Sequence, residues 1–244
     1  MASIALQLYT VRDQLSQDTP GTIQRVAEIG YRAAEIVGAT RAEVGPLLEK
    51  NGIRAVSAHV SLDDLADPKA ILTELAALGC QAAALAFLPP DRRQSVAAVR
   101  EVADAINRAA QTASELGLRF GYHNHAFEFE PLEGTNVFDV LAQETDPEKV
   151  FFELDVYWLA RAGIDPATRI EALAGRVPLI HVKDVADDEA HSFAPVGTGV
   201  LDWDRILGAA AASGSEWYIV EQDVSADPFT DIATSLRNLE PRVG

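Results

Sequence analysis

Four short runs set imidazoles and carboxylates two residues apart: His123-Asn124-His125, Glu153-Leu154-Asp155, His181-Val182-Lys183-Asp184 and Glu221-Gln222-Asp223. In an extended strand residues i and i+2 share a face, so Glu153 points with Asp155, His181 with Lys183 and His123 with His125. Each run therefore delivers a ligand or a base to one surface. Carboxylates gathered there repel one another unless a cation compensates. One divalent metal ion supplies that charge, and mixed imidazole and carboxylate ligation suits Mn2+, Zn2+, Co2+ or Mg2+. Such an ion acts as a Lewis acid on a carbonyl and its neighbouring hydroxyl, stabilising an enediolate. A nearby general base then moves the α-proton between carbons.

Taken singly, each residue has a plainer reading. A lone histidine at a strand end is more often a hydrogen-bonded structural residue than a ligand. Asp155 alone can cap the segment that follows it, and Glu221 alone can pair with Lys183. Four such coincidences on consecutive strands outweigh these separate explanations.

The elements that must position these residues alternate along the whole chain. Short apolar runs occur at 4–9, 33–37, 53–60, 81–87, 118–124, 149–155, 177–183 and 217–222. Amphipathic runs occupy 20–29, 41–50, 68–78, 92–116, 136–143, 166–174, 203–212 and 229–239. Thr19-Pro20, Asp67-Pro68 and Asp165-Pro166 have the form of capped helix starts, and Gly30, Gly52, Gly79, Gly117 and Gly175 fall where helices stop. Near-continuous apolar strands imply a parallel sheet covered on both faces. No glycine-rich turn follows the first strand, which weighs against an open dinucleotide-binding sheet. The expected fold is α/β, a single-domain (β/α)8 TIM barrel over 1–244, with its active site at the C-terminal strand ends. His59, Glu35, Gln7 and Tyr9 fall at that end on the first three strands.

The chain has 244 residues, 20 Lys and Arg against 37 Asp and Glu, and a formal charge of −17. That balance disfavours nucleic acid, whose phosphates are bound by clustered Lys and Arg. With Cys80 its only cysteine, the chain holds no internal disulfide and no Cys-rich zinc site. No run approaches the ~18 apolar residues of a membrane span, and the N-terminus has no basic region before an apolar stretch, so a cytoplasmic protein is expected.

The chain resembles the sugar phosphate isomerase/epimerase family of xylose-isomerase-like TIM barrels. The resemblance is carried by LGLRFGYHNHAFEF (116–129), FFELDVYWLARAGIDP (151–166), LIHVKD (179–184), GTGVLDW (197–203) and WYIVEQD (217–223). It implies one divalent metal held by Glu, Asp, His and Glu from strands five to eight. Asp155, His181 and Glu221 match that set directly. Strand five departs from it: His123 stands where the family has Glu. Either His123 ligates through its imidazole or Glu153 supplies the missing carboxylate, and His123, Asp155, His181 and Glu221 are the expected metal set. The departure removes one of the two glutamate bases of the family's epimerase mechanism.

The chemistry expected is aldose–ketose isomerisation or ketose epimerisation of a small carbohydrate. Glu221 and Glu153 are its acid–base candidates and Lys183 stabilises an oxyanion. Gln7, His59 and His125 contact hydroxyls, while Trp158 and Tyr9 stack on the sugar. Metal-dependent dehydration of a keto-sugar or inosose is the alternative, because it begins with the same proton abstraction and a histidine can protonate the departing hydroxyl. A non-catalytic sugar-binding barrel is a third reading. An apurinic endonuclease would need more histidines than the five present and a basic face. Lys183 and Arg12 are the few basic groups near the rim, which favours a neutral sugar, although Gly197-Thr198-Gly199 has the form of a phosphate-approaching turn. His191 is expected in an exposed loop or lid, Asp187, Asp188 and Glu189 as a solvated run, and a homodimer is possible for such barrels.

Overall fold

The structure is a computed structural model that describes residues 2–243, so the two ends of the expected 1–244 domain lie outside the described residues. Eight parallel strands close into a barrel: β1 (Ser3–Gln7), β2 (Ala33–Val37), β3 (Arg54–Val60), β4 (Ala82–Leu85), β5 (Arg119–His123), β6 (Val150–Asp155), β7 (Leu179–Val182) and β8 (Trp217–Val220). Closure is made by β1 against β8, from Ser3 opposite Trp217 to Leu6 opposite Val220. Around them run α1 (Arg12–Gln17), α2 (Thr19–Ile29), α3 (Arg41–Lys50), α4 (Pro68–Ala77), α5 (Val96–Glu115), α6 (Val137–Glu144), α7 (Val156–Arg161), α8 (Pro166–Ala172), α9 (Trp203–Ala212) and α10 (Pro228–Val243). The single-domain (β/α)8 TIM barrel expected from the sequence is the fold observed.

Local chemistry explains where the sequence reading was off. The helix expected at 92–116 begins at Val96, because Ser95 accepts a hydrogen bond from the Ala98 amide and Pro90–Arg92 form a separate 3-10 turn. Asp18, not Thr19, caps α2, through the Gly21 amide. Asp165 caps α8 as expected, whereas Asp67 precedes α4 without a side-chain bond. Two helices were not expected, α1 and α7. Helix α7 follows β6 with no intervening turn, and its Val-Tyr-Trp start reads as strand. Two small hairpins, Pro131–Leu132 with Thr135–Asn136 and Asp184–Val185 with Phe193–Ala194, were also not expected.

Alternation splits the apolar residues into two cores. Outward-facing strand residues such as Leu6, Ile36, Phe120, Phe152 and Ile180 pack under the helices. Helix α5 meets them with Val99, Val102, Ala103, Ile106, Ala109, Ala110 and Ala113, the spacing of one helical face. Inside the barrel a smaller cluster fills the N-terminal half: Ala5, Ala33, Val56, Ala82, Ala84, Phe151, Leu179, Trp217 and Ile219. Phe151 fits because its neighbour on β5 is Gly121, where a Cβ would stand 2.5 Å from the Phe151 carbonyl oxygen and 2.6 Å from its ring. The same inward positions, continued two residues at a time, become Glu35, His123, Glu153, Asp155, His181, Lys183 and Glu221. On β3 a register shift opposite Ala34 and Glu35 resets the alternation, so His59 faces inward beside them.

Candidate active site

At the C-terminal end of the barrel these side chains form two layers that share two imidazoles. In the inner layer, His59 Nε2 lies 2.6 Å from Glu153 Oε2 and 3.2 Å from Glu35 Oε2. His181 Nε2 is 2.6 Å from Glu35 Oε2 and 3.4 Å from Glu153 Oε2, and His123 Nδ1 is 3.2 Å from Glu153 Oε2. At the rim, His181 Nδ1 is 2.8 Å from Glu221 Oε2. The Lys183 ammonium sits among three carboxylates there: Asp155 at 2.8 Å, Glu221 at 2.6 Å and Asp223 at 2.8 Å. His123 Nε2 is 4.0 Å from Asp155 Oδ2.

Burial and neighbours set the protonation of this assembly. Burial opposes charge on His59 and His181, but the carboxylates around them raise both pKa values, that of His181 well above the usual range. Lys183 is likewise buried, and Asp155, Glu221 and Asp223 hold it firmly protonated. Burial and then Glu35 push the Glu153 carboxyl up. The Glu35 carboxyl is lowered despite its burial, because His59 and His181 face it. Lys183 and His181 overcome burial to hold Glu221 ionised. His123 goes the other way: burial and then the adjoining His181 keep it neutral.

The donors suit a divalent cation. Two groups each bring four ligand atoms within 4.8 Å of one another: His59, His123, Glu153 and His181, and His123, Asp155, His181 and Glu221. Buried atoms that lack a hydrogen-bond partner cluster in the same place, namely Glu35 Oε1, Glu153 Oε1 and His123 Nδ1. Leaving such groups bare is costly, and an ion relieves that cost.

Above the rim lies a cavity of about 290 Å³ lined by Tyr9, Val37, His59, Ala86, Phe87, His125, Glu221 and Asp223. Of the residues expected to act, Tyr9, His59, His125 and Glu221 reach it. Gln7, Glu153, Asp155, His181 and Lys183 lie behind it, at most 1 % exposed, and His123 is 2 % exposed. Gln7 has both amide groups engaged, donating to Glu35 and accepting from the Tyr9 amide. Trp158 stands 5.6 Å from His125 and 5.8 Å from the Lys183 ammonium, with Phe193 across it, in an aromatic wall. Arg12 covers the Tyr9 ring at 4.2 Å and donates to the Asp223 carbonyl.

The supports came largely as new information. Asp155 also caps α7 by accepting from the Trp158 amide, while its own amide donates to Asn124. Glu128, wholly buried, accepts from the Tyr122 hydroxyl and the His125 amide and so fixes the loop that carries His125. The Gly197-Thr198-Gly199 turn is not a phosphate cradle: the Gly197 and Gly199 amides both donate to Asp184. Asp184 also accepts from the Val185 and Leu201 amides and the Trp203 indole. His191 is exposed, with its carbonyl accepting from the Tyr157 hydroxyl, and Asp187, Asp188 and Glu189 are exposed as expected. Glu35 is the central residue to which the sequence reading assigned no role. Its signal was its position, inward and at the C-terminal end of β2.

The barrel fold agrees with comparisons to known proteins. A sugar phosphate isomerase/epimerase from Parabacteroides distasonis superposes with a TM-score of 0.83 at 25 % identity, covering 99 % of this chain and 95 % of that one. A D-allulose 3-epimerase from Methylomonas sp. superposes with a TM-score of 0.73 at 16 % identity, covering 99 % and 98 %. An inosose dehydratase from Geobacillus thermodenitrificans is 31 % identical over 52 % of this chain and 48 % of its own length. The chain thus spans about half the length of the curated relatives it matches. Among the described residues no helix is long and apolar enough to cross a membrane. A family model for the xylose isomerase-like TIM barrel matches residues 23–242, and the chain belongs to that family.

Proposed function

We propose that this protein is a divalent-metal-dependent enzyme that abstracts the proton α to the carbonyl of a small neutral keto-sugar or cyclic keto-polyol and then expels the β-hydroxyl as water. The observation that carries this reading is the unequal placement of the two expected bases. Glu221 lines the cavity, whereas Glu153 is sealed beneath His59. Epimerisation between two carboxylates needs a second one on the far side of the substrate, and elimination does not.

Glu221 takes the α-proton; Lys183 and His181 keep it ionised and fixed in place. The Lys183 ammonium offers its charge to the oxyanion that develops. His59, held protonated by Glu35 and Glu153, is the acid at the cavity floor. Neutral His125 and the exposed rings of Tyr9 and Phe87 orient the substrate. Asp155, His181 and Glu221 would hold the ion, with His123 as the fourth donor, and when bound it adds positive charge beside the carbonyl. A neutral substrate is favoured because the Gly197–Gly199 turn is already occupied by Asp184 and the chain carries a charge of −17. The inosose dehydratases, 31 % identical over about half the chain, point the same way.

Isomerisation or epimerisation is the second reading, favoured by the sugar phosphate isomerase/epimerase that superposes along nearly the whole chain. Mass spectrometry of products from a panel of ketoses and inososes tests the choice. Loss of one water supports dehydration; conserved mass with a moved carbonyl or an inverted stereocentre, read by nuclear magnetic resonance of the same products, supports the second reading instead.

A further inference from the structure

An ammonium has three N–H bonds, and around that of Lys183 stand three carboxylates: Asp155 at 2.8 Å, Glu221 at 2.6 Å and Asp223 at 2.8 Å. A substrate oxygen can reach the ammonium only in place of one of them. The three are not equally free to leave. The Asp155 and Glu221 side chains are 0 % and 4 % exposed, and each is held by a second contact, from the Trp158 amide and from His181 Nδ1. The Asp223 side chain is 23 % exposed and lines the cavity. Among the described residues its carboxylate accepts a hydrogen bond from Lys183 alone.

The backbone beside that carboxylate is pinned on both sides. Arg12 donates to the Asp223 carbonyl at 2.8 Å, the Gln222 amide donates to Thr10 Oγ1, and the Gln222 side chain donates to the Val224 carbonyl. Rotation of one side chain therefore separates Asp223 from Lys183 while the loop stays in place. Lys183 is 1 % exposed, so the departure of its one cavity-facing, partly exposed partner is what opens it to the cavity.

We propose that Asp223 is an exchangeable partner of Lys183 and a specificity-determining residue: a substrate oxygen takes its place on the ammonium, and the freed carboxylate accepts a hydrogen bond from a substrate hydroxyl. This exchange rests on the α-proton chemistry proposed above. It narrows the substrate class to ketones that carry a hydroxyl beyond the one next to the carbonyl. An ionised carboxylate only accepts hydrogen bonds, so Asp223 gains a partner from a hydroxyl and none from an ether or a deoxygenated carbon. A polyhydroxylated ketone breaks one bond and forms two. A ketone without the further hydroxyl breaks one, forms one and leaves Asp223 unpaired. A phosphate ester at the same position meets a like charge.

The test compares two probes on the Mn2+-loaded full chain in deuterium oxide, with α-deuterium read by mass spectrometry as kcat/KM. One probe is the member of a ketose and inosose panel that exchanges fastest. The other is hydroxyacetone, which has a carbonyl, its neighbouring hydroxyl and no more. In Asp223→Ala the value for the polyhydroxylated probe should fall ~10–100-fold, the range for a hydrogen bond to a charged group. The value for hydroxyacetone should rise, because no carboxylate has to be displaced from Lys183. Asp223→Asn keeps the shape and should move both values in the same directions by less, and circular dichroism should show both variants folded. Falls of equal size for the two probes would make Asp223 a brace for Lys183 and overturn the exchange, as would two unchanged values, while the proton-abstraction reading would stand. No exchange with any probe in the wild type would overturn that reading and the exchange with it.

Discussion

The two halves of the barrel interior are built by the same strands and obey opposite rules. Strand β6 contributes Phe151 below and Glu153 and Asp155 above, β7 contributes Leu179 and then His181, and β8 contributes Trp217 and Ile219 before the chain reaches Glu221. In the lower half large rings meet alanines and Gly121. In the upper half charged groups crowd together and the partnerless atoms are concentrated. The contrast teaches that stability and chemistry are separated along each strand by a single step of the two-residue alternation.

Substitutions at matched depths should break that symmetry in opposite ways. The largest effect on turnover is expected for Glu221→Gln, a loss of ~10²–10⁴-fold in kcat, the range for removing a general base. Its thermal unfolding should change little, as checked by calorimetry beside steady-state assays. Phe151→Ala should do the reverse. Its cavity costs ~3–5 kcal/mol in denaturant unfolding, with kcat preserved in the folded fraction.

Glu128 sharpens the comparison because it is an upper-half carboxyl with a structural task. Burial, only partly offset by the bonds from Tyr122 and His125, pushes its pKa up to about 7. A carboxyl whose pKa is raised on folding adds stability that is complete below its unfolded value and is lost as pH rises through the folded one. Stability should therefore decline between about pH 4.5 and 7 by up to on the order of 3 kcal/mol from this group. Glu128→Gln should flatten that slope in urea titrations at several pH values. Asp184 should give the smallest effect. It sits near the rim, yet its five donors make it a fastener of the Gly197–Leu201 turn. Asp184→Asn turns an N–H toward those donors and should cost ~1–3 kcal/mol of stability while leaving KM for a neutral substrate unchanged.

Most of the barrel was legible because its strands are apolar and its helices start and stop on local signals. The rim residues were legible too, since His123, Asp155, His181 and Glu221 sit at strand ends where parity alone places them together. What stayed hidden depends on closure and register. Glu35 meets His181 only because β2 and β7 face each other across the closed barrel, a pairing 146 residues apart in sequence. His59 was expected at the site from its place at the end of β3, but the register shift between β2 and β3 that turns it inward was not. Asp184 looked like one more rim carboxylate, and the turn that consumes it lies more than ten residues on. Helix α7 was missed for a local reason, since Val156, Tyr157 and Trp158 prefer strands and only the Asp155 cap reverses that preference.

The central claim is that the charged upper half moves a proton beside a carbonyl. Incubating Mn2+-loaded enzyme with a ketose and inosose panel in deuterium oxide, and following the α-carbon by nuclear magnetic resonance, reads that step whether or not water is then lost. The account predicts deuterium at the α-carbon of recovered substrate or product with the wild type and none with Glu221→Gln. Exchange that proceeds unchanged in Glu221→Gln, or conversion of a substrate with its α-hydrogen retained, would contradict it.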